Sequence, residues 1–204
     1  MMDVVIKEFD RFLRWTQGVY EFCEQPECLL RLKRSQAKRT VILPDKLIEK
    51  GMPILEIHLW NEHIPKMVNG KTDLHWAIQT KNRLVNSFKS LAILLIEDNS
   101  MADIEALYGI TVLALDAQSA QPEPLITRLG FEVYPYQNRL GRFGEFWENF
   151  YTWWIMWAFN RASLRDKNLW ELRRAEIWVS TEKFLSLYYN QKGGGYVHSK
   201  NENQ

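Results

Sequence analysis

The stretch 51–61, GMPILEIHLWN, constrains the fold more than any other part of this chain. Gly51 and Pro53 mark a turn, and Leu55, Ile57 and Leu59 then alternate with Glu56, His58 and Trp60. Period-two alternation predicts a strand, because successive side chains of a strand leave it on opposite faces. One face of this strand is aliphatic. The other carries a carboxylate, an imidazole and an indole, and it is the first place to look for chemistry.

The flanking segments predict what that strand packs with. Residues 4–22 place apolar side chains mostly at helical spacing, which predicts an amphipathic helix over a sheet face, ended at Gln25-Pro26-Glu27. Two apolar runs, 28–32 and 40–43, flank the basic linker 33–39 and predict a β-hairpin, with 40–43 pairing with 53–60. Residues 44–50 read as a short helical turn or loop. Thr72 or Asp73 suits the N-cap of a long helix reaching Ile96, with Ala77, Leu84, Phe88, Leu91 and Leu95 at three- and four-residue steps. Its end, LAILLI, is apolar all round and predicts burial between layers.

Residues 104–115 alternate again, and Gly109 marks a bulge or a close backbone approach. A short helix then ends at Leu129-Gly130, with Gly130 as its C-cap, and 131–134 form a last short strand. The order helix, hairpin, strand, helix, strand, helix, strand predicts an α+β fold: a mixed sheet of about four or five strands covered by helices. Beyond it, 137–191 predict an aromatic-rich helical extension, with 169–187 continuing as helix, and the Gly-rich 192–204 predict a disordered tail.

Composition narrows the function classes. Charged residues are 25% and hydrophobic residues 46%, which excludes a mostly disordered chain. Net charge is +1, so no global field gathers nucleic acid or anionic membrane. Cys23 and Cys28 are too few for a disulfide scaffold, and an isolated Cys-x4-Cys is not a four-ligand zinc set; they read as reduced thiols of a cytoplasmic protein. The opening MMDVVIKEFDRFLRW has charges every few residues and no apolar core, unlike a signal peptide.

Three patterns in order, KGMPILEIHLWN at 50–61, ALYGITVL at 106–113 and RLGFEV at 128–133, together resemble the YkoP-type domain. That small bacterial domain occurs alone or joined to polysaccharide deacetylases and other envelope-associated proteins. The resemblance covers residues 5–135 and implies a fold rather than a catalytic set. Members usually carry a second His where this chain has Trp60, so the polar face here is altered. A helix running into Leu129-Gly130-Phe131 is also similar to the end of GNAT-type acetyltransferases. Those need a Gly-rich turn to cradle a pyrophosphate, and no such turn precedes a helix here.

Candidate sites follow from residue type. Glu56, His58, His63 and His75 are the candidates for catalysis or metal ligation, although two residues on a strand face do not make a metal site, and no metal or cofactor is expected. The run Arg31, Lys33, Arg34, Lys38 and Arg39 is a candidate anion-binding surface, set against a solvated turn; nucleic acid is not the expected partner. In 143–159, Phe143, Phe146, Trp147, Phe150, Trp154 and Trp157 lie on one helical face. That arc is too wide for a surface helix in water and too short to span a bilayer. Core, protein interface and membrane interface all satisfy it, and Trp147, Trp153, Trp154 and Trp157 are the candidate docking residues for a partner or a second copy.

The function expected is a non-enzymatic binding or accessory module, cytoplasmic, with a peripheral place at the inner membrane face in envelope or polysaccharide metabolism implied by the resemblance. The alternative is a small enzyme with a pocket around Glu56, His58 and Trp60.

Overall fold

The turn and strand expected at 51–60 are present: Gly51 adopts φ 95°, and Pro53–Leu59 is a strand. The computed structural model of the chain describes residues 18–23, 25–65, 74–111, 124–136 and 174–189. In chain order the described elements are β1 (Leu30–Gln36), β2 (Val41–Ile42), β3 (Leu47–Ile48), β4 (Pro53–Leu59), α1 (Leu74–Glu97), β5 (Ala106–Thr111), α2 (Pro124–Arg128), β6 (Glu132–Pro135), β7 (Ala175–Ser180) and α3 (Thr181–Tyr188). Five strands form one mixed sheet in the order β1-β4-β5-β7-β6, and β2 and β3 form a separate two-stranded sheet. The fold is α+β.

Pairing differs from the hairpin expected around 33–39. That basic run is largely strand: β1 pairs antiparallel with β4 from Leu30↔Leu59 to Gln36↔Pro53. Val41–Ile42 pairs instead with Leu47–Ile48, inside the segment expected as a helical turn. Charges at 33 and 34 are compatible with a strand because each goes to a different face, Lys33 to Glu56 and Arg34 to Asp103. On its other side β4 pairs in parallel with β5.

The larger correction is at the C-terminal end. Residues 169–187 were expected as one helix, but Ala175–Ser180 is a strand inserted between β5 and β6. All six of its residues are buried. A strand covered on both faces shows no alternation, so its periodicity carries no strand signal. Ser180 ends it and caps α3, its hydroxyl accepting from the Lys183 N–H at 3.1 Å. Residues 18–22, expected as the end of a first helix, are not helical: Gly18 turns at φ 67°, and Tyr20 makes a two-bond bridge to Leu32 at the β1 edge.

The aliphatic face carries the main core. Leu55, Ile57, Leu107, Ile177 and Val179 of the sheet meet Phe88, Leu91, Ala92 and Leu95 of α1 and Phe184 and Tyr188 of α3. Each such aliphatic or aromatic side chain contributes roughly 1.5–3 kcal/mol when fully buried. Leu59, expected on this face, is exposed at the strand end. The end of α1 is one-sided rather than buried all round: Ile93 and Ile96 are exposed. Gly109 is a close approach, since a Cβ there would sit 3.1 Å from Ile57 and 3.2 Å from Ile177. Gly130 closes α2 at φ 89°, as a C-capping glycine does. The residues expected to cap α1 (Thr72, Asp73), to form the aromatic extension (including Trp147, Trp153, Trp154 and Trp157) and to form the tail lie outside the described residues.

Candidate functional site

Strand partners in register share a face, so the sheet's second face can be read off the pairing. Lys33 stands opposite Glu56 and Arg31 opposite His58; Glu56 is level with Tyr108, Tyr108 with Trp178, and Tyr134 with Glu176. This face therefore gathers two carboxylates, an imidazole, cations and aromatic rings. At one end it is covered by Val41, Leu43 and Ile48, which pack with Ile54, Ala106, Tyr108 and Trp178.

Glu56 is the centre of the first cluster. It is 7% exposed. Lys33 Nζ lies 3.6 Å from its Oε2, His58 Nε2 3.6 Å from Oε2, and Lys38 Nζ 4.0 Å from Oε1. Burial alone pushes this carboxyl up. The His58 ring, the Ser35 hydroxyl and the ammonium groups of Lys33 and Lys38 outweigh burial and hold it at about 2. Glu56 Oε1 and His58 Nε2 are buried without a hydrogen-bond partner.

The second cluster lies across β5. Arg39 Nη2 donates to Glu176 Oε2 at 2.6 Å, and the Trp178 indole N–H donates to the same oxygen at 3.1 Å. Tyr108 and Trp178 rings are 4.5 Å apart, and burial followed by the Glu176 and Glu56 charges pushes the Tyr108 phenol up. Arg39 also lies over the Tyr134 ring, whose hydroxyl donates to the Ile42 carbonyl. These closed contacts fix the β1–β2 connection across the sheet.

Trp60 belongs to a third group. The Arg31 guanidinium sits 4.1 Å over its ring, and both Arg31 and the Trp60 N–H donate to Glu62 Oε2, at 2.9 and 2.8 Å. His63 stacks on Trp60 at 3.7 Å with its Nδ1 2.9 Å from the Cys28 carbonyl.

Of the residues singled out in the sequence, Glu56 and His58 are therefore brought together. His63 is held against Trp60 instead, and His75 is exposed on α1, with no hydrogen bond or ion pair to the others among the described residues. No group of three or more His, Cys, Asp and Glu among the described residues is arranged to hold a metal. Each member of the basic run has a carboxylate within reach. Arg31 faces Glu62 and Glu21, Lys33 and Lys38 face Glu56, Arg34 reaches Asp103, and Arg39 reaches Glu176. Glu176 and Trp178 were missed because 175–180 read as helix. Ile177, Trp178 and Val179 in a row were the available strand signal.

A family model described as the YkoP domain matches residues 5–188. The chain belongs to the YkoP family. No curated protein and no solved structure matches it significantly. The YkoP match continues past the three motifs that carried the resemblance and takes in β7 and α3, in keeping with a sheet that needs β7 to join β5 to β6. In this YkoP domain no described helix is long and apolar enough to cross a membrane.

Proposed function

We propose that this YkoP domain is a non-enzymatic binding module whose recognising surface is the polar sheet face around Glu56 and His58. The observation that carries the reading is the state of Glu56: buried, held ionised down to about pH 2, and with one oxygen lacking a hydrogen-bond partner. A general acid or base works best with a pKa near the working pH. A carboxyl at about 2 is a weak base and is never a proton donor at neutrality. It is instead a fixed acceptor, and an unmet buried acceptor costs roughly 1–3 kcal/mol that a bound donor recovers.

The alternative, a small enzyme at Glu56, His58 and Trp60, loses support because Trp60 is engaged by Arg31, Glu62 and His63 rather than by that pair. A peripheral place at the inner membrane face, in envelope or polysaccharide metabolism, belongs to the same proposal. It is supported by the proteins that the domain is joined to elsewhere and by the aromatic stretch 143–159, which the proposal also makes the docking segment for a protein partner.

The test is a thermal-shift screen of the full chain against polar small molecules between pH 5 and 8, with each hit recovered and analysed by mass spectrometry. A ligand that stabilises in a saturable way and is recovered unchanged is the expected result. A hit recovered chemically altered, at a rate that falls in Glu56→Gln, puts the enzyme reading in its place.

A further inference from the structure

We propose that Cys23 and Cys28 are a redox pair: a hydroperoxide oxidises Cys23, and Cys28 closes on it to form a reversible disulfide that ties residues 18–23 to the start of the sheet. This goes beyond the binding reading above and does not depend on it.

The chain fold brings the two sulfurs together. The Cys28 N–H donates to the Gln25 carbonyl at 3.0 Å, which turns the chain back on itself. Beyond that turn Tyr20 and Leu32 run antiparallel and exchange two backbone hydrogen bonds, at 2.8 and 2.9 Å. Cys23 and Cys28 lie between the turn and this bridge, and their thiols are in hydrogen-bond contact. A disulfide forms only between cysteines whose backbones are already close, and the turn supplies that closeness.

Their surroundings divide the roles. Cys23 is partly exposed, so it is the sulfur an oxidant meets first. Cys28 is buried, burial keeps its thiol protonated, and that thiol donates to the Leu30 carbonyl at 3.6 Å. In the first step the Cys23 thiolate attacks the hydroperoxide. A sulfur–oxygen bond forms, the oxygen–oxygen bond breaks, and the leaving oxygen takes up the proton that the thiol released. Cys28 then attacks the sulfenic sulfur of Cys23. The sulfur–sulfur bond forms, the sulfur–oxygen bond breaks, and the hydroxyl leaves with the Cys28 proton as water. The two thiols lose two electrons and the hydroperoxide gains both. A thiol reductant reverses the bond by exchange.

The bond acts on an attachment that is otherwise noncovalent. β1 is an edge strand, and Tyr20 bridges to it at Leu32. Glu21 adds an ion pair to Arg31 at 3.2 Å, with the Glu21 side chain 48% exposed. Closing the short loop 23–28 removes freedom from the detached chain and so holds Tyr20 and Glu21 against β1.

The reduced full chain is treated with millimolar hydrogen peroxide, remaining thiols are blocked with N-ethylmaleimide, and the peptides are read by mass spectrometry. The expected product is a Cys23–Cys28 link within one chain that dithiothreitol undoes. Exchange of the Tyr20 and Leu32 amide hydrogens slows about tenfold in the oxidised form. Cys28→Ser stops at a Cys23 sulfenic acid, which dimedone traps. Cys23→Ser, at a partly exposed position, keeps the fold and leaves Cys28 a thiol under the same treatment.

Both thiols intact after oxidation, a link between two chains, or Cys23 carried to sulfinic acid beside a free Cys28 overturns the pair. A link that forms without slower amide exchange overturns the tie to the sheet. Oxidation of Cys28 in Cys23→Ser at the wild-type rate overturns the division of roles.

Discussion

Arg39 and Glu176 stand 137 positions apart in the chain and meet at 2.6 Å, joining the β1–β2 connection to a strand on the far side of β5. The Glu176 side chain is 11% exposed and that of Arg39 46%. Removing the arginine leaves a mostly buried carboxylate whose remaining hydrogen bond, among the described residues, comes from the Trp178 N–H. Arg39→Ala is therefore expected to destabilise the fold by roughly 1–2 kcal/mol, below the range for a fully buried pair because Arg39 is half in water. The Arg39→Ala/Glu176→Ala double variant loses less than the sum of the two singles. Urea unfolding of the four proteins checks both statements.

Glu56 makes stability depend on acid. Its folded-state carboxyl is held at about 2, below the ordinary 4.5, so its ionised form favours folding. That contribution is complete above about pH 4.5 and is lost as pH falls through about 2. Glu56→Gln is thus less stable than wild type at pH 7, and the gap closes between those two values. Thermal melts at pH 7, 4 and 2.5 measure it; a gap that stays constant with pH contradicts the caged-carboxylate account.

At Gly109 an added side chain would crowd the two neighbouring strands. An added Cβ meets Ile57 and Ile177 at 3.1–3.2 Å and the Ile57 carbonyl at 3.3 Å. Gly109→Ala is expected to cost about 1–3 kcal/mol, and Gly109→Val more, because the branched side chain forces β4 and β7 apart. The order of the denaturation midpoints, wild type above Ala above Val, is the measurement. Strand propensity alone predicts the reverse order.

Burial pushes the Cys28 thiol up to about 11, and the residue is 3% exposed, whereas Cys23 is partly exposed. The thiolate is the reacting form, so iodoacetamide at pH 7.5 labels Cys23 well ahead of Cys28 in the folded chain. Peptide mass spectrometry over time reads the two sites separately, and the difference shrinks in urea.

Local patterns made several elements legible. The alternation in 53–59 is a strand, the three- and four-residue steps from Ala77 to Leu95 are a helix, and the glycines at 51 and 130 take positive φ at a turn and a helix end. Each of these depends on residues within a turn or two of one another. The pair Glu56 and His58 was legible for the same reason, two positions apart on one strand face.

What the sequence by itself determined about this protein is which segments have two faces and where the chain must turn. Only the tertiary structure decided which strands meet. Residues 30–36 and 41–42 both had partners on offer, and pairing with β4 went to the longer run, which brings Lys33 to Glu56. Residues 175–180 carry Ala and Glu within an Arg- and Glu-rich stretch that favours a helix locally, yet they complete the sheet. Burial on both faces and hydrogen bonds to two neighbours outweigh a propensity of a few tenths of a kcal/mol per residue. Strand partnership is settled by contacts across a hundred positions or more, and no window along the chain contains them.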